Sequence, residues 1–138
     1  MVTEFKIQVP EGMEIDRENS TFECIKFKPK DLTYQEISKK FQPYNYSVST
    51  NAKNLSKLIT FRKLLEVADY LNGDWKPDWN DAKQIKYFIL YNKHNVNQKI
   101  YVEDCYYANY SIVCFSSKEN AEKAINIIGE EELRQFYL

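Results

Sequence analysis

Both tryptophans of this 138-residue chain, Trp75 and Trp79, sit in one run, Asp74-Trp75-Lys76-Pro77-Asp78-Trp79-Asn80-Asp81, beside three aspartates and a proline. Two indole faces on a proline-stiffened loop could stack a base, a sugar or a proline-rich segment, each stacked base contributing ~1–3 kcal/mol. The carboxylates could equally serve an enzyme, with Asp78 or Asp81 acting in a pocket lined by the two rings. The competing reading is cohesion. Two large rings either side of Pro77, just past a helix end, would pin the loop to the core, and the spacing favours this anchor. As metal ligands, Asp74, Asp78 and Asp81 lack the spacing and the central glycine of an EF-hand, so no metal is expected here.

A second cluster is aromatic: Cys105-Tyr106-Tyr107-Ala108-Asn109-Tyr110, with Tyr101 shortly before it. Tyrosine offers a large contact area at small rotamer cost, so exposed Tyr106, Tyr107 and Tyr110 would suit a protein partner or self-association. Buried, the same rings would be core with satisfied hydroxyls. Glu103 and Asp104 stand nearby, but successive strand residues point to opposite faces, so they do not form an acid and base pair.

The third candidate is charge. From Lys26 to Lys63 there are nine basic residues against two acidic ones, Asp31 and Glu36, while the whole chain carries a net charge of −1. If Lys28 and Lys30 on a strand converge with Lys53, Lys57 and Lys63 on a helix, they would form a phosphate-binding patch flanked by Tyr44 and Tyr46. Lysine alternating on a strand also guards a sheet edge, and lysine at helical spacing is ordinary surface. Arginine, whose planar fork reads bases, is nearly absent from the segment.

Several chemistries drop out by composition. There is one histidine, His94, and three glycines, so neither a HExxH zinc site nor a glycine-rich phosphate cradle can be built, and no cofactor is expected. Cys24, Cys105 and Cys114 are widely spaced and odd in number, which argues against a disulfide framework. A Cys105 and His94 nucleophile pair is arithmetically available, but His94 falls in a turn-like Asn92-Lys93-His94-Asn95. No apolar run approaches the ~18 residues of a membrane helix or the length of a signal peptide, so no membrane partner and a reducing cytoplasm are expected.

The elements that must position these residues follow from periodicity. Phe5, Ile7 and Val9 alternate with Lys6 and Gln8, and Phe22 to Lys28 is strand-like up to Pro29, which predicts a long-looped N-terminal β-hairpin. Thr33-Tyr34-Gln35-Glu36 is a capping box opening a short helix. Residues 42–51 read as a loop and a hinge within a single domain spanning 1–138. A long amphipathic helix is predicted from Ala52 to Leu71, with Leu55, Leu58, Ile59, Phe61, Leu64, Leu65, Ala68 and Leu71 as its apolar stripe and Gly73 as its stop.

Ile85 to Tyr91 is apolar on both alternating faces and should be a central strand. With Lys99 to Glu103 and Ser111 to Phe115 it predicts a three-stranded antiparallel meander. A second capping box, Ser116-Ser117-Lys118-Glu119, opens a helix ending at Gly129, and Glu130 to Leu138 adds a last short helix. The fold class is α+β, with the C-terminal helices on one face of the sheet.

The run Leu64 to Asp81, the strand Lys86 to Tyr91 and the helix Ser117 to Ile125 resemble small uncharacterised proteins of Bacteroides phages and prophage-like elements. The front end, Phe5 to Asp16 followed by Ser20 to Glu23, is similar to the N-terminal hairpin of the same group, and Leu71 to Asp81 is the most specific part. The resemblance implies an accessory protein and supplies no catalytic residues. The function expected is therefore a non-enzymatic interaction module, with nucleic-acid binding through the 26–63 segment and ligand binding or catalysis at the 74–81 loop as the alternatives.

Overall fold

The computed structural model describes residues 4–41, 51–94, 99–106 and 112–138. The chain divides into two compact units, one running to Leu32 and one from Thr33 to Leu138. The hinge expected at 42–51 lies outside the described residues apart from Asn51.

In the first unit, β1 (Met13–Ile15) pairs antiparallel with β2 (Phe27–Pro29), Glu14 facing Lys28 across the ladder. The hairpin therefore uses a different first strand from the one expected. Met13 N donates to Pro10 O (3.1 Å) and Lys30 N to Gly12 O (2.9 Å), so pairing begins only after the Pro10-Glu11-Gly12 turn. Gly12 makes that turn at φ 75°, where a β-carbon would be strained. Phe5, Ile7 and Val9 keep their alternation but form no ladder and are exposed. Alternation marks a face to be covered without saying which segment arrives to cover it.

The second unit holds α1 (Tyr34–Ser38), α2 (Ala52–Asn72), β3 (Lys86–Asn92), β4 (Lys99–Cys105), α3 (Lys118–Ile128) and α4 (Glu130–Tyr137). Helix starts follow the capping chemistry. Glu36 N donates to Thr33 Oγ1 and Thr33 N to Glu36 Oε2 (2.8 Å), completing the box on α1. Asn51 Oδ1 accepts from Asn54 N (2.9 Å) at α2, and Ser117 Oγ accepts from Asn120 N (3.1 Å) at α3. Gly73 and Gly129, at φ 57° and 101°, end α2 and α3.

Only part of the expected α2 stripe is buried. Leu64, Val67 and Ala68 are core together with Thr60, whereas Leu55, Leu58, Ile59 and Leu65 are exposed. At 100° per residue Thr60, Leu64, Val67 and Ala68 occupy one side of the helix, with Leu55, Leu58 and Ile59 on the other, where the one buried residue is Glu66, bonded by Tyr34 of α1. Eight apolar residues covered more of the circumference than α3 and α4 could.

The sheet also departs from expectation. β3 and β4 form a two-stranded antiparallel ladder, from Lys86↔Cys105 to Asn92↔Lys99. The third segment does not extend this meander on β4. It returns to the other side of β3, where Tyr87 and Phe115 exchange two backbone bonds (3.0 and 2.8 Å) in a single bridge. Its other side is taken by a side chain: Asn72 Nδ2 donates to Cys114 O (2.9 Å) and Ser116 N donates to Asn72 Oδ1 (2.9 Å). A helix C-terminus thus holds the segment in place of a further strand.

α3 packs on α2, β3 and β4, and α4 on α2, α3 and β4. Tyr91 stacks on Tyr137 of α4 while Phe88 stacks on Trp79, so alternation along β3 puts the helices on one face and the 74–81 loop on the other. Between them lies the core of Phe88, Phe115, Val67 and Leu133, with Ile37 of α1 also fully buried.

Candidate interaction surface

The 74–81 loop is organised around Lys86. This side chain is completely buried, and its ammonium donates to Asp78 O (2.5 Å) and Asp81 O (3.2 Å) and lies 5.3 Å from the centre of the Trp79 ring. Trp79 stacks on Phe88 at 6.4 Å and keeps 39% of its surface exposed, while Trp75 is half-buried. Asp78 Oδ1 accepts from Asn80 N (2.9 Å) and Asp81 Oδ1 from Lys83 N (2.8 Å), so each carboxylate closes its own turn. Gln84 clips the loop, its Oε1 accepting from Asp78 N (2.6 Å) and its Nε2 donating to Lys76 O (3.0 Å). Asp74 is exposed. Among the described residues no three His, Cys, Asp or Glu side chains group as metal ligands.

The lysines fall into two sets. Lys28 and Lys30 belong to the first unit, and Lys53, Lys57 and Lys63 to the second. Lys28 pairs with Glu14 at 3.5 Å. Lys63 pairs with Glu132 at 2.9 Å and lies 5.1 Å from the Tyr34 ring centre. Lys53 and Lys57 line a shallow hollow with Ser56, Gln135 and Leu138. Sequence reading missed the polar network beneath: buried Glu66 accepts from Tyr34 Oη (2.8 Å) and Arg62 Nε (2.8 Å), and Glu132 accepts from Thr60 Oγ1 (3.0 Å) and Lys63 Nζ (3.0 Å). The i,i+4 spacing of Arg62 and Glu66 was the one available signal.

Of the aromatic cluster, Tyr101 lies in β4 and Tyr106 directly follows it. Tyr107 and Tyr110 are outside the described residues, whereas Tyr106 is 40% and Tyr101 36% exposed. Burial of its hydroxyl, and next the Glu103 carboxylate beside it, push Tyr101 above the usual phenol range.

The ladder also shows which backbone groups of β4 point outwards. Tyr87 N–H and C=O turn away from β4 to Phe115, and Ile89 O, two residues on, accepts from Tyr137 Oη (2.5 Å). Antiparallel pairing alternates, so Lys86, Phe88, Leu90 and Asn92 face β4, and their partners Cys105, Glu103, Tyr101 and Lys99 face back. Ile100, Val102 and Asp104 therefore direct their N–H and C=O groups to the opposite edge. Among the described residues nothing bonds to them there, so the outer edge of β4 is open, whereas that of β3 is engaged at Tyr87 and at Ile89 O. Beside that edge runs a groove of about 480 Å³, walled by Ile100, Val102, Lys118, Glu122 and Ile125. No helix of the described residues is long and apolar enough to cross a membrane.

No protein-family model, curated protein or solved structure matches the chain.

Proposed function

We propose that this protein is a non-enzymatic interaction module that binds an extended segment of a protein partner along the edge of β4. One observation carries the reading: Ile100, Val102 and Asp104 present a row of backbone donors and acceptors that no described residue pairs, next to exposed Tyr101 and above a groove. Such an edge takes affinity from main-chain bonds and selectivity from side-chain pockets on either side. What supports it over a catalytic reading of the 74–81 loop is the use made of that loop, whose carbonyls hold Lys86 and whose Asp78 and Asp81 carboxylates close local turns. The proposed setting, an accessory protein of a phage-like element in Bacteroides, rests on the resemblance of the 64–81, 86–91 and 117–125 segments.

The test is selection from a randomised displayed-peptide library against the intact chain. Peptides with alternating apolar residues should be enriched, and Val102→Pro, which deletes one outward N–H and leaves the β3 ladder bonds untouched, should abolish their binding. Peptides that bind Val102→Pro as well as the natural chain would overturn the reading.

A further inference from the structure

We infer that the partner segment is β4 of a second copy, so that two chains join their edges into one antiparallel sheet ordered β3-β4-β4-β3 about a two-fold axis at Tyr101. The inference rests on β4 being a docking edge, and adds who docks and in what register. A two-fold axis between antiparallel strands can pass only through a few residues, and side-chain chemistry separates them. Centred on Glu103, the axis would set two carboxylates directly opposite each other, which is repulsive. Centred on Val102, it would set apolar Ile100 against Asp104 and leave Lys99 facing Cys105.

Centred on Tyr101, every described pair is complementary. Lys99 faces Glu103 of the second copy, and Glu103 faces Lys99, giving two opposite-charge pairs from one symmetric contact. Tyr101 faces Tyr101. All of these belong to the class in which side chains approach most closely, because their backbone groups already bond to β3. The outward groups of Ile100 meet those of Val102 in the hydrogen-bonded pairs, with both side chains on the helix-covered face, where Ile100 is 3% exposed. Charges on an edge commonly prevent pairing with other chains. Here Lys99 and Glu103 are placed four residues apart around a tyrosine, so symmetric pairing satisfies them instead of opposing them.

The intact chain should double its mass in light scattering as concentration rises. Lys99→Glu places like charges opposite each other twice and should weaken association by about tenfold or more, and Lys99→Glu with Glu103→Lys should restore it. These side chains are exposed, so loss of folding does not confuse the result. The register is read directly by Tyr101→Cys in a Cys24→Ser, Cys105→Ser background, which removes the other accessible thiols. Directly opposed residues of this class lie about 4.5 Å apart at Cα, within disulfide reach, so a mild oxidant such as diamide should give a covalent dimer. Glu103→Cys in the same background should give none.

A chain that stays monomeric at all concentrations, or one that cross-links through Glu103→Cys and not Tyr101→Cys, would overturn this assignment. Either result leaves the docking edge itself to be decided by the peptide selection, where Val102→Pro reports on any strand partner.

Discussion

Lys86 shows how a residue type misleads when read alone. In the sequence it is the polar interruption of an otherwise apolar strand; in the fold it is completely buried, its ammonium solvated by two carbonyl oxygens and an indole face. Bonds to charged groups contribute more than neutral ones, and removing the donor strands two carbonyls. Lys86→Met, which keeps the stem, should cost about 2 kcal/mol in urea denaturation and shift Trp emission to the red as Trp79 is released. An unchanged emission maximum would mean that the loop is held by Gln84 alone.

Tyr137 gives a pH signature. Burial pushes its hydroxyl up to about 12, while Ile89 O accepts from it. Because the folded pKa is raised, the neutral phenol is retained in the fold after the unfolded chain has begun to ionise. Its stabilising contribution is complete below about pH 10, the ordinary phenol value, and is lost as pH rises towards 12. Tyr137→Phe should cost about 1 kcal/mol at neutral pH from the lost bond, and its stability difference from the natural chain should shrink between pH 10 and 12. A constant difference across that window would show that Tyr137 titrates as it does in the unfolded chain.

At the scale of elements, boundaries set by local chemistry were legible. The cap Thr33 and the stops Gly73 and Gly129 stand where spacing puts them, because a cap is a contract between residues three or four apart, whereas α3 starts one residue later than the expected Ser116–Glu119 box, with Ser117 accepting from Asn120 N. Strand partners were less so. The Ser111 to Phe115 segment has strand propensity, yet what it pairs with depends on which edge the chain reaches, and Asn72 occupies the side that another strand would have used. Asn72→Ala should therefore loosen this segment from α2. An expected loss of about 2 kcal/mol in thermal unfolding comes from two neutral hydrogen bonds, with faster exchange of the Phe115 and Tyr87 amides. Retained protection at both would show that the bridge stands without the asparagine.

At the scale of the whole molecule, the two units differ in how much they bury. No described residue of 4–32 is buried, and its ladder is three residues long, which is marginal for a hairpin alone. The second unit encloses Phe88, Phe115, Val67 and Leu133. Native-state hydrogen exchange should separate them, with β1 and β2 amides exchanging through local opening and those of Phe88 and Ile125 only through global unfolding. Equal protection in both units would contradict this division.

What the amino-acid order determined by itself was the α+β class, the four helices of the described residues and two strands read at Ile85 to Tyr91 and Lys99 to Glu103, which the structure places at Lys86–Asn92 and Lys99–Cys105, since propensity, capping and alternation act over a few residues. Tertiary structure alone decided which side of α2 is buried, why Phe115 joins β3, that the aspartate loop encloses a lysine, and which edge of the sheet stays open. Each of these depends on residues distant in sequence competing for one place, and burial goes to the set that fills it together.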